Sequence, residues 1–320
     1  MRAIVCEAGR IRFDPEHAAP VPGPGEAIVR VSKALVTGFE AEIATGARRH
    51  AGVMGHAFVG TVQQAAGGSK FAGRRIVAAP DIICGLCDLC RAGLSRHCRD
   101  RVTLGRDDRD GCFCELVRLP ERNLVEVPRA LDDDAAVMAP VVAAAIHAAQ
   151  YVRLEGKVFV TVIGDGIEAL AVAQVTRPLN ATVRLLGWRP AMFGLCEKWG
   201  VRHRHADDAG QRRDQTVVID CEGTARSLQL AVRMLRPRGT LILTRAPAPG
   251  EGADLRPVID AELEVLGSRT GPIADALALL ERGAFDAHSL IGRRMRLEDG
   301  PAGISAVATG QQLSALLDIG

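Results

Sequence analysis

The chain has 320 residues, room for two domains, and 48% of them are hydrophobic, which is ample material for buried cores. A formal net charge of +2 argues against nucleic acid or an anionic membrane as the main partner, and an aromatic content of 3% argues against base- or sugar-stacking platforms. Only Lys33, Lys70, Lys157 and Lys198 are lysine, so the basic residues are nearly all arginine, and no stretch gathers them densely enough to read as a binding stripe.

The opening MRAIVCEAGR runs straight into a strand pattern and lacks the apolar core of a signal peptide. No apolar run reaches the ~18 residues that a membrane span needs. A soluble, cytoplasmic protein is expected, and its nine cysteines then call for an explanation other than disulfides. Residues 2–6, 27–31, 58–63, 75–79, 112–119 and 124–127 read as short strands, punctuated by turns such as Pro22-Gly23-Pro24-Gly25. This is the pattern of a small, irregular β-barrel. Residues 132–151 read as a helix whose start is marked by Asp132, Asp133 and Asp134. From Lys157 the rhythm changes to alternating strands (158–163, 182–186, 217–220, 239–244, 262–266) and helices (190–199, 224–235), which implies a doubly wound parallel sheet. The tail adds helices at 272–281 and 301–308 and strands at 295–297 and 315–319.

Within the β-rich front, Cys84, Cys87, Cys90 and Cys98 form C-x2-C-x2-C-x7-C in one loop. Four thiolates supplied so locally match a closed tetrahedral zinc site, whereas a ferredoxin-type cluster run has a different final spacing. A shell of four cysteines leaves no open position for chemistry, so its role is to fold the lobe. Cys6, Cys112, Cys114, Cys196 and Cys221 sit in strand or helix patterns and read as small buried residues.

The strand at 158–163 leads into Gly164-Asp165-Gly166 and an apolar helix. That arrangement aims free N–H groups and a positive dipole end outward and suits a pyrophosphate. Gly164 supplies the tight turn, Gly166 admits the phosphates, and Ala169 allows close packing of helix on strand. Glu168 is an awkward neighbour there, an acid beside a seat for anionic phosphates. At the end of the next strand stand Gly187, Trp188 and Arg189, with no acid to bond a ribose. A guanidinium suits the extra phosphate of NADP, and the indole can lie along an adenine.

A β-rich front, this cysteine lobe and then a nucleotide fold resemble the medium-chain dehydrogenase/reductase superfamily, more narrowly its zinc-containing alcohol and glucose dehydrogenases. The resemblance runs nearly end to end. It includes Gly55-His56 with Phe58-Val59-Gly60, Val218-Ile219-Asp220-Cys221, Arg236-Pro237-Arg238-Gly239 and Gly267-Ser268-Arg269. It implies an α/β chain with a GroES-like irregular β-barrel catalytic domain (1–135, zinc lobe 80–100), a doubly wound Rossmann nucleotide-binding domain (136–267), and a segment returning to the catalytic domain (268–320). It also implies that Ile167, Cys221, Gly223 and Arg269 line the nucleotide.

The family places a second, catalytic zinc over the nicotinamide. Here its ligand positions fall at Thr37, His56 and Pro140, the glutamate after the histidine is Ala57, and the proton-relay hydroxyl is Phe39. Proline offers no ligand atom and a lone histidine does not hold zinc. The expectation is therefore an NAD(P)H-dependent oxidoreductase with one structural zinc and no catalytic one, NADP(H) preferred over NAD(H). It would reduce an activated C=C, C=N or C=O of a small molecule, with Thr37, Glu40 and His56 donating a hydrogen bond or proton. The resemblance also implies a homodimer. Two alternatives stand beside this: a metal site rebuilt from His56, Glu40 and Glu42, and a non-catalytic scaffold.

Overall fold

Two units make up the chain in a computed structural model that describes residues 1–107, 109–152, 158–179, 182–210 and 212–320. Met1–Pro140 with Pro272–Gly320 forms one, and Val141–Gly271 the other, so the first boundary falls at Pro140 rather than at 135.

The first unit contains β1 (Ala3–Glu7), β2 (Arg10–Asp14), β3 (Glu26–Val36), α1 (Gly38–Ala44), β4 (Gly52–Val53), β5 (Ala57–Gln64), β6 (Arg75–Ala78) and β7 (Asp81–Ile82). Then come α2 (Asp88–Arg91), β8 (Val102–Thr103), β9 (Leu116–Pro120), β10 (Leu124–Glu126) and α3 (Asp133–Ala136). The long strand β3 is its spine: it pairs antiparallel with β5, with β9 and with a C-terminal strand, Ala315–Asp318. Ala27, Val29 and Val31 point into a core with Ile4, Phe58, Leu104 and Phe113, while Arg30 faces outward. Residues 112–115, expected as strand, instead run beside Val53–Gly55 and Arg2–Ile4 as irregular backbone, with Cys112 and Cys114 buried.

The helix expected at 132–151 is two helices. Asp132 caps α3 by accepting the Ala135 N–H at 2.8 Å, and α4 (Ala139–Gln150) begins anew. Pro140 explains the break, because it has no N–H to give and its ring crowds the carbonyl four residues back.

In the second unit α4 precedes β11 (Val160–Ile163), α5 (Ile167–Thr176), β12 (Val183–Gly187), α6 (Phe193–Lys198) and β13 (Arg202–His205). These are followed by β14 (Gln215–Asp220), α7 (Ala225–Met234), β15 (Leu235–Leu243), α8 (Arg256–Asp260) and β16 (Glu264–Gly267). The expected boundary at Lys157 lies outside the described residues. All pairings are parallel and the six strands run β13-β12-β11-β14-β15-β16, the order of a doubly wound dinucleotide fold. Strand β13 carries no apolar signal: Arg202, His203, Arg204 and His205 sit on the exposed edge of the sheet. The first unit is completed by α9 (Ile273–Glu281), β17 (Arg293–Arg296), α10 (Gly300–Ala308) and β18 (Ala315–Asp318). No helix among the described residues is long and apolar enough to cross a membrane.

Candidate active site and nucleotide seat

Thr37 ends β3 and begins α1. Thr37-Gly38-Phe39-Glu40 is a capping box, T-x-x-E, a signal present in the sequence that marks a helix where a loop is expected. Glu40 Oε2 accepts the Thr37 N–H at 2.9 Å and its hydroxyl at 3.3 Å, while Thr37 Oγ1 accepts the Phe39 N–H at 3.1 Å. The cap thereby buries Glu40 completely, at 0% exposure. Its other oxygen, Oε1, accepts from His56 Nδ1 at 2.7 Å. His56 is 8% exposed, stacked on Phe39 at 4.1 Å between ring centroids, with the Arg106 guanidinium 4.8 Å from the Phe39 ring. Nε2 of His56 bonds to none of the described residues. The three expected catalytic residues thus form one connected group, in which Thr37 and Glu40 hold and His56 presents a nitrogen.

Glu42 faces elsewhere. It pairs with Arg48 at 3.0 Å and Arg106 at 3.7 Å, and it does not join Glu40 and His56 in any metal-holding group among the described residues. Thr37 has its hydroxyl committed to Glu40, and Ala57 and Pro140 have no ligand atoms. The residues present do not fit a second zinc here.

Cys84, Cys87, Cys90 and Cys98 do fit a metal. Their ligand atoms lie within 4.8 Å of one another, with Cys84 and Cys98 sulfurs at 3.4 Å and the Cys84–Cys90 and Cys87–Cys98 pairs at 4.0 Å. Four sulfurs at zinc bond length in a tetrahedron stand ~3.8 Å apart. The N–H groups of Leu86 and Cys87 each reach Cys84 Sγ at 3.4 Å and that of Cys84 reaches Cys98 Sγ at 3.3 Å, the donors that thiolates need. Backbone N–H donors pull the Cys87 thiol down to about 6, while burial pushes Cys90 up to about 12. Four thiolates therefore coexist only with a cation among them.

In the second unit, β11 turns into α5 through Gly164, whose φ of +139° and lack of a side chain place Ala169 Cβ only 3.1 Å from where a Cβ would stand. Gly166 is the N-cap of α5 and offers no side-chain bond to its first N–H groups, so they remain for a ligand. These features fit a dinucleotide. Three carboxylates surround the turn. Glu168 has a buried Oε2 with no hydrogen-bond partner, and Glu222 Oε2 accepts the Asp165 N–H at 3.1 Å. The third is Asp165, which sequence reasoning passed over although the middle position of the glycine turn is charged.

Asp165 is 3% exposed. Its carboxylate reaches the end of β12, where it accepts the N–H of Trp188 at 2.7 Å and of Arg189 at 3.0 Å. A Cβ on Gly187 would meet Asp165 Oδ1 at 2.2 Å, so the strand must end in glycine. Arg189 Nη2 returns to the Asp165 carbonyl at 2.8 Å. Trp188 donates Nε1–H to Asp207 at 3.1 Å beneath the Arg226 guanidinium, 4.9 Å from its ring. At the end of β14, Asp220 is fully buried, and burial raises its carboxyl to about 6 although Ser227 Oγ (2.9 Å), Glu222 N–H (3.0 Å) and Gly223 N–H (3.3 Å) donate to it. Cys221 beside it is buried with its thiol held well above the ordinary value by desolvation. Arg269 follows β16 and is exposed.

Residues 23–129 match the family model of the alcohol dehydrogenase GroES-like domain. L-threonine 3-dehydrogenase of Chelativorans sp. (strain BNC1) is 27% identical over 326 residues, covering 93% of this chain and 93% of its own. Among solved structures, a candidate zinc-binding dehydrogenase from Sinorhizobium meliloti 1021 bound to NADP superposes with a TM-score of 0.89 at 26% identity, over 99% of this chain and 98% of that one. Alcohol dehydrogenase TADH from Thermus sp. ATN1 superposes at 0.88 over the whole of both chains, with 24% identity, a likeness of fold.

Proposed function

The chain belongs to the medium-chain dehydrogenase/reductase superfamily and is an NAD(P)-dependent oxidoreductase, and we propose that it works without a catalytic zinc on an activated C=C, C=N or C=O of a small molecule. One observation carries this reading: the place of the missing Lewis acid is taken by a closed Thr37–Glu40–His56 group. Without a metal to stabilise an alkoxide-like oxygen, the substrate must bring its own activation.

A bound reduced nicotinamide supplies the hydride. The substrate takes it at one carbon of its activated double bond, the bond's electron pair moves to the far atom, and that atom takes a proton. His56 is the group suited to give it. Glu40 faces Nδ1–H and stabilises the imidazolium, which gives its Nε2 proton and remains as the neutral ring with Nδ1–H fixed. Thr37 positions Glu40 through two hydrogen bonds and touches no reacting atom.

For the cofactor we favour NADP(H) over NAD(H). Support comes from Arg189 after β12 and from NADP in the S. meliloti structure. Gly164, Gly166, Ile167, Gly187, Trp188, Cys221, Gly223 and Arg269 complete the seat in this reading. Cys84, Cys87, Cys90 and Cys98 hold one structural zinc. The exposed edge strand β16, with Val265 45% exposed and Ile259 of the preceding helix α8 76% exposed, supports a homodimer joined there, because an unpaired apolar edge is a template for a second copy.

The decisive experiment pairs metal analysis of the purified protein with titration of NADPH and NADH. One zinc per chain with NADPH binding, followed by turnover of enones or quinones in preference to simple ketones, is expected. Two zincs per chain would overturn the metal-free reading, and binding of neither nucleotide would leave only a scaffold.

A further inference from the structure

The parallel register of β12 and β13 brings together arginines that lie far apart in the sequence. Arg184 stands opposite Arg202, and Leu186 opposite Arg204, so all three arginines project from one face of the sheet. They line a cavity of about 480 Å³ whose other walls include Gly200, His203 and Glu197. That volume lies in the range of small-molecule pockets. Arg177 stands at the rim, its Nη2 3.1 Å from where a Cβ on Gly200 would be.

Like charges directly across a strand pair repel, and a half-buried guanidinium normally has a carboxylate beside it. Among the described residues no carboxylate forms an ion pair with Arg184, Arg202 or Arg204, although Asp214 lies near enough to act on the charge of Arg184. Arg184 is half-buried, and the acceptor it finds is a neutral hydroxyl, Thr161 Oγ1 at 3.2 Å, whose own proton goes to Gln215 Oε1 at 2.6 Å. Arg204 reaches the Asp208 carbonyl at 3.4 Å, and Arg202 bonds to none of the described residues. Glu197, the one acid in the wall, is taken by His203 Nε2 at 3.2 Å, and Asp214 nearby accepts from Gln215 Nε2 at 2.7 Å. Burial and the charge of Arg204 together depress Arg184 below the ordinary arginine value.

Charge on an edge strand protects against edge-to-edge aggregation, which accounts for Arg202 and Arg204 on β13. It does not account for Arg184, which lies on the next strand inward. The site is also separate from the nucleotide seat. Arg184 precedes Gly187, where that seat begins, by three residues of extended strand, ~10 Å.

We propose that Arg184, Arg202 and Arg204 form a binding site for the phosphate group of a small anionic ligand, on the edge of the nucleotide-binding sheet. Guanidinium forks match the several oxygens of a phosphate, and the cavity leaves room for the rest of a phosphate ester. The reading does not depend on the chemistry at His56.

The test is calorimetric titration and thermal denaturation of the full chain with inorganic phosphate and with a sugar monophosphate, ionic strength held constant with potassium chloride. Saturable binding to wild type is expected, with Kd raised at least tenfold in R202Q and in R184Q, and NADPH affinity within twofold of wild type in R202Q. The Arg202 side chain makes no hydrogen bond or ion pair among the described residues, so R202Q keeps the test informative even if R184Q folds poorly. Tighter binding of the sugar monophosphate identifies an ester as the ligand, and equal binding identifies the free ion. Unchanged phosphate binding in R202Q, or a response that chloride reproduces, overturns the proposal.

Discussion

Asp165 and Arg189 are joined twice: the carboxylate of Asp165 accepts the Arg189 N–H at 3.0 Å, and the Arg189 guanidinium returns to the Asp165 carbonyl at 2.8 Å. The acid that the end of β12 lacks is thus delivered from the glycine turn, and it occupies two N–H groups that could otherwise receive an anion.

From this follows an effect on nucleotide choice. Replacing Asp165 by Asn keeps one acceptor and removes the charge beside any ribose phosphate. Affinity for NADPH should rise about three- to tenfold, up to ~1.4 kcal/mol, with NADH changed less than twofold. Fluorescence titration with both nucleotides reads this. Equal loss for both would mean that Asp165 serves only to shape the turn, whereas failure of wild type to bind either would instead count against the oxidoreductase reading.

At the barrel site the two partners are separable. H56A should lower kcat by about 10²-fold or more with little change in KM, as expected for a lost general acid. E40Q should lose less than H56A in kcat, because an amide oxygen still accepts from Nδ1–H and keeps the ring in place. E40A leaves the Thr37 N–H and His56 Nδ1 unpaired in a buried place, and a loss of ~2–4 kcal/mol in denaturant unfolding is expected. A kcat for E40Q equal to that of wild type would remove Glu40 from the mechanism.

The cysteine lobe should be metal-dependent and acid-sensitive. Thiolates must be deprotonated to bind zinc, so release should grow as pH falls. Removing the metal, or C98S, should lower the Tm by several degrees and expose 84–98 to proteolysis. Unchanged proteolysis after complete metal removal would show that the lobe holds itself.

Asp220 gives stability a pH dependence of defined sign. Its carboxyl is raised by burial from 3.8 to about 6, so the folded state holds a proton that the unfolded state has lost between those values. The stabilisation is complete below 3.8 and lost as pH rises through about 6, on the order of 2–3 kcal/mol. D220N should flatten that slope and stabilise the fold at neutral pH, since an amide oxygen keeps the Glu222 and Gly223 donors and Ser227 Oγ has a second acceptor at Thr224 O. Asp134, drawn down to about 2 by Arg294 and Lys33, acts in a different window: its stabilisation is present above 3.8 and lost as pH falls through about 2. Denaturant midpoints from about pH 2 to 8 separate the two.

The sequence alone determined what depends on neighbours along the chain. Four cysteines within fifteen positions must converge whatever surrounds them, and a strand, Gly164-Asp165-Gly166 and an apolar helix can hardly avoid making an N-terminal anion seat. That Thr37 is a poor zinc ligand, and that Ala57 and Pro140 offer no ligand atom, is likewise a matter of side-chain identity. Even α1 was legible, through its T-x-x-E box. The tertiary structure decided whatever joins distant segments. Glu40 meets His56 because β3 and β5 lie side by side, Asp165 meets Arg189 because β11 pairs with β12, and Arg184 meets Arg202 because an edge strand without an apolar pattern adds to that sheet. Hydrophobic periodicity reports burial and says nothing of which buried charge faces which. Those partners are fixed only when strand order and register are fixed.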